Sequence, residues 1–106
     1  MNADYKSCLS ALERCREACN VCYHACLKEE KPMMKSIELD RECADICAYT
    51  IHAMERSSKF VQRILSLCAE ICDACGAECH SHDQQHCRDC AEACFKCAEE
   101  CRMLVT

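Results

Sequence analysis

The chain has 106 residues, and 13 Lys and Arg against 18 Asp and Glu give it a formal net charge of -5. This length allows one hydrophobic core, so we expect residues 1–106 to form a single domain. The acidic balance argues against a nucleic-acid-binding protein, which would present a basic face. Because there is one Gly, one Pro and no alternating β-branched run, the composition predicts an all-α protein.

The first predicted helix covers roughly residues 3–29 and ends before Pro32. The second runs from about 36 to 56, with Ser36 as a candidate N-cap. Each of the four predicted helices would be roughly 30–40 Å long.

The Ser57-Ser58 pair predicts a short turn and the N-cap of a third helix, residues 59–80. A polar stretch at residues 80–83 ends that helix, and Asp83 would cap a fourth helix over residues 84–104. Short connections between long helices predict an antiparallel up-down-up-down four-helix bundle.

Sixteen cysteines replace the usual large core residues, since the chain has two Phe, three Tyr and no Trp. Within the first, third and fourth predicted helices the cysteines are separated by alternating steps of three and four, after one step of seven in the first helix, and the second helix has two cysteines four residues apart. That rhythm is the a/d seam of a heptad, so every thiol should face the bundle axis. The cysteines are Cys8, Cys15, Cys19, Cys22, Cys26, Cys43, Cys47, Cys68, Cys72, Cys75, Cys79, Cys87, Cys90, Cys94, Cys97 and Cys101.

Burial alone is a poor explanation for this set, because cysteine buries less apolar area than the leucine it would replace. The N-terminus shows no basic segment followed by an apolar run, and no stretch approaches the 18 or so apolar residues of a membrane helix. We therefore expect a cytoplasmic protein without membrane association, whose thiols stay reduced and serve as metal ligands or redox groups. The reducing cytoplasm disfavours disulfides, and thiols three or four residues apart on a helix have poor geometry for them. The loop motif C-x2-C-x2-C-x3-C-P of iron–sulfur proteins does not occur in the chain.

Two metals suit a column of thiols. Zinc would use four convergent thiolates, which buries a net charge of about -2 at each site. Cu(I) is soft, is satisfied by two or three thiolates, and is charge-neutral when one ion is held per thiolate. The pattern therefore favours an array of Cu(I), on the order of ten or more ions, over separate zinc tetrahedra.

A thiol redox protein is the other alternative, because four C-x2-C pairs occur: Cys19/Cys22, Cys72/Cys75, Cys87/Cys90 and Cys94/Cys97. Redox pairs generally lie at an exposed helix N-terminus, a condition that only Cys87/Cys90 approaches. No pattern of catalytic residues stands out, so we expect a storage protein and not an enzyme.

The bundle is predicted to have two different ends. One gathers apolar seam residues and forms a plug: Tyr5, Met54, Val61, Leu65 and Leu104. The other gathers polar and soft groups and forms a mouth, where an ion would enter: Met33, Met34, Asp40, His82, Asp83 and His86. Of these, Asp40, His82 and His86 are candidate ligands beside the cysteines. Asp40 lies on the seam, where a buried carboxylate is costly without a cation. His82 continues the register of the third helix, and His86 directly precedes Cys87. His24 and His52 are predicted to face outward.

Over its whole length the chain resembles the cytosolic branch of the bacterial copper storage proteins. The resemblance is carried by the segments at residues 39–47 and 68–79 and by the cysteine spacing between Cys87 and Cys101. It implies a four-helix bundle that stores many Cu(I) ions and forms a homotetramer. A cytosolic copper chaperone is a candidate partner.

Overall fold

A computed structural model of the protein describes residues 3–106. It contains four helices, α1 (Ala3–Leu27), α2 (Met34–Glu55), α3 (Val61–His80) and α4 (Gln85–Leu104). Each helix packs against the next, and α4 packs back against α1, which closes a bundle of 44 × 18 × 17 Å. The predicted all-α up-down-up-down bundle is confirmed. No helix within the described range is long and apolar enough to span a membrane.

The start of α2 differs from the prediction. Its N-cap is Met33, so Ser36 is fully buried inside the first turn and does not cap the helix. Met33 packs against the core on one side of this turn and Ile37 on the other, and the Ile37 N–H donates to the Met33 carbonyl at 3.0 Å. We infer that apolar packing, and not a side-chain cap, sets where α2 begins.

The turn between α2 and α3 lies at the predicted serine pair, where the two serines close the C-terminus of α2. Ser57 adopts a positive φ of 53°, and the Ser58 N–H donates to the Ala53 carbonyl at 2.9 Å. This is the Schellman arrangement that closes a helix C-terminus. The serines therefore end α2. Ser58 Oγ also accepts a hydrogen bond of 3.1 Å from the Phe60 N–H in the turn before α3. The N-cap residue of α3 is nevertheless Phe60 and not a serine, because the helix begins at Val61.

The start of α4 also lacks the predicted cap. Gln84 is the N-cap residue, and no side chain caps the helix. Asp83 lies outside the helix, where its carbonyl accepts a hydrogen bond of 2.7 Å from Arg88 Nη2. The arginine thus returns from the first turn to hold the connection through the backbone of Asp83.

The core runs along the bundle axis, and one end of it is apolar as predicted. Leu65 and Met54 are each 1% exposed there, with Val61 and Leu104 packed partly buried around them. The Tyr5 hydroxyl donates to the Met54 carbonyl at 2.5 Å, which ties α1 to α2 at this end. Alanines flank the thiol column where helices approach closely, at Ala44, Ala69, Ala91 and Ala98.

Candidate metal centre

All sixteen cysteines lie on the bundle axis and are fully buried free thiols. Their nearest sulfur–sulfur distances between helices are 3.6–3.9 Å, for example 3.6 Å from Cys43 to Cys72 and 3.7 Å from Cys19 to Cys94. These distances are far longer than a disulfide bond of about 2.05 Å. The heptad seam read from the sequence therefore places every thiol where it was predicted.

The thiols form overlapping groups of four donors, each with all donor atoms within 4.8 Å of one another. Numbered in the order of the list that closes this paragraph, neighbouring groups share residues. Cys15 belongs to groups one and two, Cys19 and Cys94 to groups two and three, Cys90 to groups three and four, and Cys22 to groups four and five. The donor column is thus continuous. From the middle of the bundle towards the predicted mouth, the groups are Cys15/Cys47/Cys72/Cys97, Cys15/Cys19/Cys43/Cys94, Cys19/Cys75/Cys90/Cys94, Cys22/Asp40/Cys79/Cys90 and Cys22/Cys26/His86/Cys87.

Cys15 is one of three thiols, with Cys72 and Cys94, that each lie within 4.0 Å of four other sulfurs. Its Sγ lies 3.7 Å from Cys43 and Cys94 and 4.0 Å from Cys19 and Cys72. Hydrogen bonds from surrounding thiols, that of Cys19 first, lower the pKa of Cys15. A sulfur in contact with four others is suited to bridge more than one soft ion.

Asp40 is a fully buried carboxyl inside the thiol column. Its Oδ1 accepts hydrogen bonds of 3.3 Å from Cys75 and 3.4 Å from both Cys79 and Cys90. Its Oδ2 has no hydrogen-bond partner among the described residues. Burial raises the pKa of Asp40 to about 7. A carboxyl in this state can accept a proton or a cation near neutral pH.

His86 lies at the end of the column beside two thiols. Its Nδ1 is 3.3 Å from Cys22 Sγ and 3.6 Å from Cys87 Sγ, while its Nε2 is 2.8 Å from Glu29 Oε1. Because a carboxylate only accepts, Nε2 carries the proton and Nδ1 presents its lone pair to the sulfurs. Burial raises the pKa of Cys26, and it raises the pKa of Cys87 to about 12, so both are thiols at neutral pH without a cation.

His82 lies at the same end but faces a different partner. Its Nε2 is 2.8 Å from Glu78 Oε2, and Glu78 also receives Lys35 Nζ at 3.7 Å. None of the five donor groups above contains His82. This end is therefore lined by two histidine–carboxylate pairs, and the pair of His86 with Glu29 contacts the thiols of Cys22 and Cys87.

Other residues of the predicted mouth contribute less. Met33 packs partly buried against the core, whereas Met34 is 62% exposed and Asp83 is exposed. His24 and His52 are exposed, as predicted. The two glutamates were missed by the sequence reasoning.

A redox role fits this geometry poorly. All members of the four C-x2-C pairs are fully buried. The pKa of Cys87, the cysteine nearest a helix N-terminus, is raised and not lowered. Reactive cysteines require the opposite, a lowered pKa together with access.

The protein is similar to copper storage proteins by sequence and structure. The family model described as copper storage protein matches residues 1–106. The Cu(I)-bound copper storage protein BsCsp3 is 48% identical, with a TM-score of 0.94 over 97% of this chain and 99% of that chain.

Two structures from Streptomyces lividans are each 36% identical to the chain. One is the copper storage protein Ccsp loaded with 10 copper equivalents, with a TM-score of 0.93 over 96% of this chain and 83% of that one. The other is described as a cytosolic copper storage protein with five coppers, with a TM-score of 0.92 over 96% of this chain and 92% of that one. The chain therefore belongs to the copper storage protein family.

Proposed function

We propose that this protein stores multiple Cu(I) ions inside its bundle. The observation that carries the proposal is the sharing of thiols between successive donor groups, which joins them into one column. Shared thiolates suit a metal that needs two or three sulfur ligands, because each sulfur can then serve two ions. Separate zinc tetrahedra would need four unshared thiolates each.

The charge balance of the thiol column also favours Cu(I). Each Cu⁺ that displaces one thiol proton leaves the column neutral, so successive ions can be added without a growing desolvation cost. A row of zinc tetrathiolates would instead accumulate about -2 at every site. A zinc or general thiol-metal buffer is therefore the weaker candidate.

In this proposal the sixteen cysteines are the storage ligands, and the end of the column near His82 and His86 is the mouth. His86 already contacts two thiols, so it is the better candidate for the first ligand that an incoming ion meets. His82 would join it by leaving Glu78. Asp40, one layer deeper, would hold the ion between the mouth and the inner thiols.

The biological setting follows from the family. We propose a single metal-storage domain in the cytoplasm, a homotetramer of bundles, loading by a cytosolic copper chaperone, and a role in copper homeostasis without enzymatic activity. Exposed apolar side chains on the outside of the bundle offer candidate contacts between subunits, at Tyr49, Leu67 and Phe95.

An anaerobic titration tests the storage proposal. Reduced protein is titrated with Cu(I) against a chromogenic chelator, and a parallel sample receives Zn²⁺. We expect uptake of on the order of ten or more Cu(I) per chain. Saturation at one or two Cu(I) per chain would refute storage, and tighter, more numerous zinc binding would favour the zinc buffer.

A further inference from the structure

The donor group at the mouth differs in chemistry from the all-thiol groups of the column. It combines Cys22 and Cys26 of α1 with His86 and Cys87 of α4. We propose that this group is a binding site for one Zn²⁺, with Glu29 as a positioning residue. The proposal concerns the copper-free protein, so it stands whether or not the column stores copper.

Four of the six donor–donor distances within the group are close to those of a zinc tetrahedron. Zn–S bonds of about 2.3 Å and Zn–N bonds of about 2.0–2.1 Å place tetrahedral donors roughly 3.5–3.8 Å apart. Cys22 Sγ lies 3.9 Å from Cys26 Sγ and 3.9 Å from Cys87 Sγ. His86 Nδ1 lies 3.3 Å from Cys22 Sγ and 3.6 Å from Cys87 Sγ. The other two distances, from Cys26 to Cys87 and to His86, are within 4.8 Å, so movements of about an ångström or less would complete the tetrahedron.

The imidazole is already oriented for a metal. Glu29 Oε1 holds the Nε2 proton of His86 at 2.8 Å, which leaves Nδ1 free to bind. Gln84 Nε2 in turn donates to Glu29 Oε2 at 2.9 Å. A carboxylate behind a histidine ligand fixes its tautomer and raises its basicity, as in zinc sites generally. This hydrogen-bonded arrangement gives the group an outer layer as well as four ligands.

Charge distinguishes this group from the deeper ones. With Zn²⁺ bound, three thiolates and a neutral imidazole carry a net charge of -1, whereas a zinc tetrathiolate in the all-thiol groups would carry -2. Glu29 adds a further negative charge beside the site, and the side chains of His86 and Glu29 are 21% and 25% exposed, so water can moderate what remains. Zn²⁺ therefore leaves less uncompensated charge in this mixed nitrogen and sulfur group than in the all-thiol groups.

The test uses reduced, copper-free protein titrated with Zn²⁺ against a chromogenic chelator. We expect one zinc per chain to bind more tightly than all others. X-ray absorption at the zinc edge should report three sulfurs and one nitrogen for that first equivalent. A first equivalent bound by four sulfurs, or no zinc retained against the chelator, would overturn the proposal.

Variants locate the site. His86→Ala should remove the nitrogen and the tight phase, while Glu29→Gln should weaken the first zinc by about 10–100-fold, as removal of such outer partners does in other sites. His24→Ala changes an exposed histidine and should leave the first zinc unchanged. If instead Cys94→Ser abolishes the tight phase and His86→Ala does not, the first zinc lies in the inner column and the proposal is wrong. Circular dichroism of each variant checks that the helices remain.

Discussion

We predict that the metal-free bundle becomes less stable as pH rises, because the buried carboxyl of Asp40 ionises. The native state holds the proton of this buried carboxyl up to about pH 7, whereas the unfolded chain releases it near the ordinary value of 3.8. Between those values the unfolded state has already ionised and the native state has not. Deprotonation therefore favours unfolding, and stability is lost between about pH 4 and pH 7.

The magnitude follows from the two pKa values. Their difference corresponds to up to about 4 kcal/mol, of which about 3 kcal/mol falls between pH 5 and pH 8. Asp40→Asn keeps the shape of the side chain and cannot ionise. Relative to the wild type, the variant should gain about 3 kcal/mol of stability between pH 5 and pH 8.

Urea unfolding of reduced apo-protein, followed by circular dichroism from pH 5 to pH 8, measures this difference. All other ionisable groups are the same in the two proteins, so their effect cancels in the comparison. Parallel stability curves for the two proteins would refute the reasoning.

Three further outcomes follow from the structure. Changing His82 and His86 to alanine should slow Cu(I) loading, measured by stopped-flow absorbance, while His24→Ala should load at the wild-type rate. If the variant without His82 and His86 loads as fast as the wild type, copper does not enter at this end of the bundle. Leu65→Ala should lower the free energy of unfolding of the apo-protein by about 2–5 kcal/mol. The variant should keep its Cu(I) capacity, because the plug contains no thiol; a variant that binds fewer Cu(I) ions would show that the plug is needed to hold the metal. Cys15→Ser should reduce the Cu(I) load by roughly one to three ions in native mass spectrometry, since its sulfur contacts four others; an unchanged load would show that it bridges nothing.

The thiol column was predictable because side-chain direction follows helical periodicity. Steps of three and four fix a single face of each helix, and nothing in the tertiary structure can turn one cysteine outward without unwinding a turn. The same argument placed Asp40 on the seam, one turn before Cys43. Its three thiol donors come from α3 and α4, and no local pattern on α2 specifies them.

The helix starts were less predictable because several residues compete for each cap. Ser36 and Asp83 have the side chains of good N-caps, yet neither caps a helix in the structure. Packing of Met33 against the core and the return of Arg88 to the connecting backbone determine the boundaries instead. Both are contacts of the folded bundle, which propensity does not register.

The glutamates at the mouth show a signal that was present and not used. Glu29 follows Cys26 by three residues and so continues the seam of α1 beyond its last cysteine. Glu78 precedes His82 by four, a spacing at which helical side chains meet. The pairing of Glu29 with His86, however, spans 57 positions and depends on how α1 meets α4.

The central claim is that the thiols form one continuous channel for Cu(I). A crystal structure of the fully loaded protein, with anomalous scattering recorded at the copper edge, tests it most directly. We expect copper ions in a row along the bundle axis, with thiolates of Cys15, Cys19 and Cys94 bridging neighbouring ions. Isolated copper sites that share no sulfur, or copper bound outside the bundle, would contradict the account.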